Sequence, residues 1–177
     1  MPKLDASSAR CIVLTYKEGL LSAVAHDLKF EVTRFSLDID DAMKSVAASF
    51  EASSLRVLCA VKDGIDATSA LSEKDKRDIQ DNIAKDVLDV RKHAHIRFNS
   101  TKVDREGEGF RIKGRLEIKS KTRELSCLVR SIGPDWVCEV TLHQPDFGIK
   151  PFSAMLGAMK IKPDVDVRLS VPKSRVS

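Results

Sequence analysis

Long apolar runs are missing from this chain. No stretch approaches the length of a membrane span. The N-terminus, Met-Pro-Lys-Leu-Asp-Ala-Ser-Ser-Ala-Arg, has no apolar segment of the kind a secretory signal needs, so a cytoplasmic location is expected. Paired cysteine motifs are missing too. Cys11, Cys59, Cys127 and Cys138 form no C-x-x-C and each sits in an apolar run, which reads as buried free thiols in a reducing compartment. Aromatic residues make up only 5% of the chain, and no basic run has aromatics interleaved. Nucleic acid is therefore not the expected partner, and the net charge of +4 supports only a mild preference for an anionic ligand or surface. The nucleophile elbow G-x-S-x-G, the P-loop and the dinucleotide fingerprint are all absent. No enzyme class is announced by a motif, and no cofactor is called for.

What is present is alternation. In Phe110-Arg-Ile-Lys-Gly-Arg-Leu-Glu-Ile-Lys119 every second residue is apolar or small and every residue between is charged. Side chains on a strand point to opposite faces in turn, so this strand has one dry face and one wet face. With 42% hydrophobic and 32% charged residues over 177 positions, the chain reads as one globular domain spanning 1–177.

The pattern recurs. Arg10 to Tyr16 reads as a first strand. Leu28, Phe30 and Val32 alternate, then Phe35, Leu37 and Ile39 do so one position out of phase, as a β-bulge would produce. Further strands are marked by Val46 to Ala52, Leu55 to Val61, Ile96 to Val103, Phe110 to Lys119, Leu125 to Val129, Trp136 to Leu142 and Val165 to Val171. Between Leu71 and Val90 the period changes: Ile79, Ile83, Val87 and Val90 form a helical stripe, and Ser72 with Asp75 resembles a capping box. A second helical spacing, Phe152, Met155, Leu156 and Met159, follows Pro151 and predicts a lid or core helix. The fold class is all-β with an inserted helix: about eight antiparallel strands in an up-and-down barrel or sandwich.

Histidines supply the main alternative chemistry. His93 and His95 form an H-x-H that could bind zinc, but a third ligand is not nearby in sequence, so no metal site is assigned. His26 and Asp27 are adjacent and would face opposite ways on a strand. Asp146-Phe-Gly matches in letters the metal-binding triplet of protein kinases, without the rest of their signature set. A bend relieved by Gly148, with Phe147 turned into the core and Asp146 capping local amides, is the expectation. The remaining question is the interior. Inward positions include Phe30, Phe50, Phe98, Phe110, Ile112, Leu116, Trp136 and Leu142, and an eight-stranded barrel can be filled by its side chains or can hold one small ligand.

Four fragments, in order, resemble the YceI-like family of lipid-binding proteins: Gly19-Leu-Leu-Ser-Ala-Val-Ala-His-Asp-Leu28, Leu88-Asp-Val-Arg-Lys-His-Ala-His-Ile-Arg-Phe-Asn-Ser100, Gly114-Arg-Leu-Glu-Ile118 and Asp146-Phe-Gly-Ile149. The resemblance runs over about 11–171. Ala94 stands where that family usually has Pro, and Ser120 where a second Gly is frequent. The resemblance implies an eight-stranded, lipocalin-like antiparallel barrel enclosing a long isoprenoid or amide-type lipid, and it tips the interior from filled core to ligand cavity. The function expected is non-catalytic carriage of an elongated lipid, with the inward residues above, Phe147, Phe152, Met155, Leu156 and Met159 on the ligand. His26, Arg34 or Lys150 would meet its headgroup. A His- or metal-dependent hydrolase and a filled barrel serving as an interaction module are the alternatives, and the oligomeric state stays open, a dimer included.

Overall fold

The computed structural model describes residues 3–18, 26–154 and 159–176. In chain order its strands are β1 (Lys3–Asp5), β2 (Arg10–Thr15), β3 (Lys17–Glu18), β4 (Asp27–Val32), β5 (Phe35–Ile39), β6 (Val46–Glu51), β7 (Leu55–Lys62) and β8 (Ile65–Ala67). After helix α1 (Glu73–Asn82) come β9 (His95–Glu106), β10 (Gly109–Ile118), β11 (Lys121–Ile132), β12 (Asp135–His143), β13 (Ser153–Ala154), β14 (Met159–Ile161) and β15 (Asp164–Pro172). Twelve of these form one antiparallel sheet in the order β1-β5-β6-β9-β10-β11-β12-β15-β2-β4-β7-β8, and β13, β14 and β3 form a small second sheet.

The sheet curls. β5 stands near one end of the order and β4 near the other, yet they are consecutive in the chain and separated only by Thr33 and Arg34. The two ends are thus tied by a corner. β4 pairs with β2 and β7, whereas β5 pairs with β1 and β6. β1 with β2, β4 with β5, and β6 with β7 are each two halves of one bent strand, so the twelve segments reduce to eight runs around a barrel, plus the short β8. The phase change between Val32 and Phe35 is this corner, not a β-bulge. Ser54 holds it: the hydroxyl accepts from the Arg34 N–H at 3.0 Å and donates to the Glu51 carbonyl at 2.8 Å, and it is fully buried. True register shifts occur elsewhere, at Lys29/Phe30 against β7 and at Lys113/Gly114 against β9.

Local chemistry explains the elements. Phe110, Ile112, Gly114, Leu116 and Ile118 are all buried, as the alternation in β10 demands. Gly107 takes the left-handed conformation (φ 60°) in the two-residue turn between β9 and β10. Ser72 caps α1, accepting from the Asp75 N–H while the Asp75 carboxylate accepts from the Ser72 N–H. The α-helix ends at Asn82 and continues as a π-helical turn over Ile83–Val87, so the Leu71–Val90 stripe is a shorter helix with a widened last turn.

A second sequence expectation is overturned. Phe152 to Met159 is not a helix where it is described: Ser153–Ala154 and Met159–Ile161 are paired antiparallel strands, with Ser153 opposite Lys160. Met155 and Leu156 lie outside the described residues, as does most of the Gly19–Leu28 fragment.

Candidate functional site: an apolar cavity inside the barrel

The buried residues do not form one contiguous core. They fall into four clusters. One, including Leu4, Leu37, Ile39 and Val171, closes the barrel end away from the helix. A second joins Leu28, Phe30 and Val57 to Ile79 and Ile83 of the helical segment. A third groups Phe110, Ile112, Cys127 and Val129 with Trp136. The fourth sets Leu116, Ile118, Phe147 and Ile149 against Val87 and Leu88. A filled barrel of this size would give one cluster. Between these four lies a cavity of about 750 Å³ with a predominantly apolar wall.

Two gaps in the strand ladder shape that wall. β11 pairs with β12 only over Val129–Ile132 and Asp135–Cys138, so the stretch of β11 before Val129 has no ladder to the stretch of β12 after Cys138. The turn Gln144–Phe147 and Ile149 fill that seam, where Phe147 and Ile149 pack against Leu125 and Leu142. Gly148, at φ 67°, makes the bend. Gln144 locks it: its N–H donates to the Pro163 carbonyl at 2.8 Å, its side-chain amide donates to the Lys162 carbonyl, and its carbonyl accepts from the Ile149 N–H. Asp146 is exposed and caps no amide among the described residues, so only the Phe147 and Gly148 halves of that expectation describe the turn. On the other side, β7 neighbours only β4 and β8, and the helical segment crosses from β7 to the end of β10.

The structure places Phe30, Phe50, Phe98, Phe110, Ile112, Leu116, Trp136, Leu142, Phe147, Phe152 and Met159 in the cavity wall. Phe110 and Trp136 meet edge to face, with ring centroids 5.4 Å apart. His26 lines the wall near the chain's re-entry into β4. Arg34 and Lys150 do not line it. Arg34 is on the outer surface at the corner, in an ion pair with Glu51 at 2.6 Å, and Lys150 is exposed. His93 and His95 stand outside the cavity, with His93 Nδ1 3.3 Å from the Ser120 hydroxyl, and no group of three metal-ligating side chains occurs among the described residues.

Sequence reasoning missed part of the wall. Leu71, Ile79, Ile83 and Leu88 face the cavity, as do Val13, Val165, Val167 and Leu169. Periodicity marked Ile79, Ile83, Val165, Val167 and Leu169 as buried but not as facing a void. Among the described residues no lysine or arginine lines the cavity; the ionisable groups that do are His26, Glu51, Asp75, Asp78 and three of the four cysteines. Burial pushes the Cys11 thiol up to about 12, with the Glu31 carboxylate adding to it.

Similar architectures occur in solved structures. BcnA of Burkholderia cenocepacia superposes with a TM-score of 0.64 at 14% identity, covering 95% of this chain and 98% of its own. A polyisoprenoid-binding domain from Saccharophagus degradans, implicated in plant cell wall breakdown, gives 0.62 at 9% identity, with 97% of each chain covered. The YceI protein of Campylobacter jejuni gives 0.56 at 12% identity, with 80% and 81% covered. No curated protein matches the sequence. The family model of the YceI-like domain matches residues 12–172, and with the curled sheet and its hollow interior it establishes that the chain belongs to the YceI-like family.

Proposed function

We propose that this protein binds an elongated, neutral-bodied lipid inside the barrel and carries or sequesters it. The observation that carries the reading is the cavity of about 750 Å³ with its apolar wall. An apolar cavity of about 150 Å³ already stays dry and takes up a benzene-sized guest. One several times larger gains more by holding an alkyl or prenyl chain than by holding water. Burial contributes roughly 25 cal/mol per Å² of apolar surface before ordering costs are subtracted. The Saccharophagus degradans neighbour, described as polyisoprenoid-binding, supports an isoprenoid as the class of ligand.

A filled barrel acting as an interaction module is disfavoured by the divided core. A His-dependent hydrolase is disfavoured because His26 lines the cavity while His93 and His95 do not. Native mass spectrometry after gentle purification, followed by solvent extraction, tests the proposal: a stoichiometric long-chain lipid is the expected outcome. Protein that is free of lipid as isolated and takes up none from mixed micelles would overturn it.

A further inference from the structure

Cys127 and Cys138 stand on adjacent strands of the cavity wall. Val129 is directly opposite Cys138, so Cys127, two residues along, is its diagonal neighbour on the same inward face. Both side chains line the cavity, and the two thiols are near enough for each to shift the ionisation of the other. The ladder between their strands ends at the Val129–Cys138 pair, which leaves the backbone at Cys127 free of β12. We propose that Cys127 and Cys138 form a dithiol that reduces apolar hydroperoxides, such as a peroxidised lipid tail, held in the cavity. The proposal rests on the cavity being a lipid site.

The electrostatics divide the labour. Cys127 is held below the ordinary thiol range, first by the neighbouring Cys138 thiol and further by the Arg111 guanidinium, against an opposing effect of burial. Cys138 is pushed well above that range, first by the neighbouring Cys127 thiol and then by burial. The proposal takes Cys127, the thiol that feels the Arg111 cation, as the nucleophile and Cys138 as the proton donor.

In the first step the Cys127 thiolate attacks the terminal peroxide oxygen. An S–O bond forms, the O–O bond breaks, and the leaving alkoxide takes the Cys138 proton to become an alcohol. In the second step the Cys138 thiolate attacks the Cys127 sulfenic sulfur. The S–S bond forms and the S–O bond breaks. The hydroxide that leaves takes up the proton released earlier from Cys127 and departs as water. Two thiols and one hydroperoxide give one disulfide, one alcohol and one water, and a small dithiol in solution resets the pair.

The test uses the full reduced chain with cumene hydroperoxide and, separately, hydrogen peroxide at equal concentration. The expected result is loss of two hydrogens in the intact mass and a Cys127–Cys138 link in peptide maps. The apolar oxidant should be faster by about tenfold or more, the equivalent of 1.4 kcal/mol of preferential binding. Cys138→Ala should halt the reaction at a sulfenic acid on Cys127 that dimedone traps, and Cys127→Ala should abolish it. Cys59→Ala, outside the cavity, should leave the rate unchanged. Even oxidation of all four cysteines, or equal rates for the two oxidants, would overturn the dithiol proposal while leaving lipid uptake intact. If no lipid is taken up either, the carrier reading falls with it.

Discussion

Tyr16 is the chain's single tyrosine, so its titration can be read without interference. Its hydroxyl donates to Asp166, whose other oxygen accepts from Thr141 at 2.6 Å. Burial first, then the Asp166 hydrogen bond and charge, push the phenol up to about 12. Absorbance titration of the tyrosinate should show a midpoint near that value in the folded protein and near the ordinary value of about 10 in denaturant. Asp166→Asn should move the folded midpoint down. The folded pKa is the higher one, so this group's contribution to stability is complete below about 10 and lost as pH rises toward the folded value. Gly114 offers a different test. An added Cβ would lie 2.4 Å from the Phe98 ring and 2.5 Å from the Asn99 carbonyl, and the carbonyl belongs to the backbone and does not swing away. Gly114→Ala should cost about 1–3 kcal/mol of stability in a denaturant titration, as overpacking does.

Among the elements, α1 is the most local in its causes. Ser72→Ala removes the side-chain half of the capping box and should cost about 0.5–2 kcal/mol, visible as a lower denaturation midpoint. The residues that make this cap were legible in the sequence, as were β10, β12 and β15, because one period and one cap suffice to specify them. The elements that were not legible depend on partners far along the chain. Phe152, Met155, Leu156 and Met159 fall at helical spacing, yet Phe152 and Ala154 line the cavity from one arm of a hairpin and Met159 and Ile161 from the other. Phe152 and Met159, seven residues apart, match two helical turns by spacing alone. The corner at Thr33 and Arg34 was read as a bulge because both devices reverse the inward parity. Only the change of pairing partner, from β2 and β7 to β1 and β6, tells them apart.

At the scale of the whole molecule, the aromatic and aliphatic wall residues could be picked from alternation, but the void between them could not. Leu116 bears on that void: it is buried, packs beside Ile118 and Phe147, and lines the cavity. Leu116→Asn introduces an amide that a filled core would leave without partners at a cost of about 1–3 kcal/mol. With water in the ligand-free cavity that cost is partly relieved, and bound lipid restores it. The expected outcome is a small shift in the unfolding midpoint of delipidated protein and a marked fall in co-purified lipid. The cations Arg34 and Lys150, read from sequence as headgroup contacts at the mouth, do not line the cavity, for a physical reason. A charge stays in water unless a partner meets it, and here one is paired on the outside and the other exposed.

The two seams make this barrel a split sleeve rather than a rigid tube. Along most of its circumference the width is set by backbone hydrogen bonds at fixed spacing. Where β11 parts from β12, and where the helical segment stands in for a strand, width is set by side chains resting on one another. Phe147 and Ile149 belong to no strand ladder, whereas the floor of Leu4, Leu37, Ile39 and Val171 is tied into paired strands. Girth is therefore forgiving and depth is not. In a ligand series, added methyl branches should change affinity gradually, and added chain length should reach a sharp limit once the tail meets the floor. Competition binding with branched and linear chains of matched carbon number checks this.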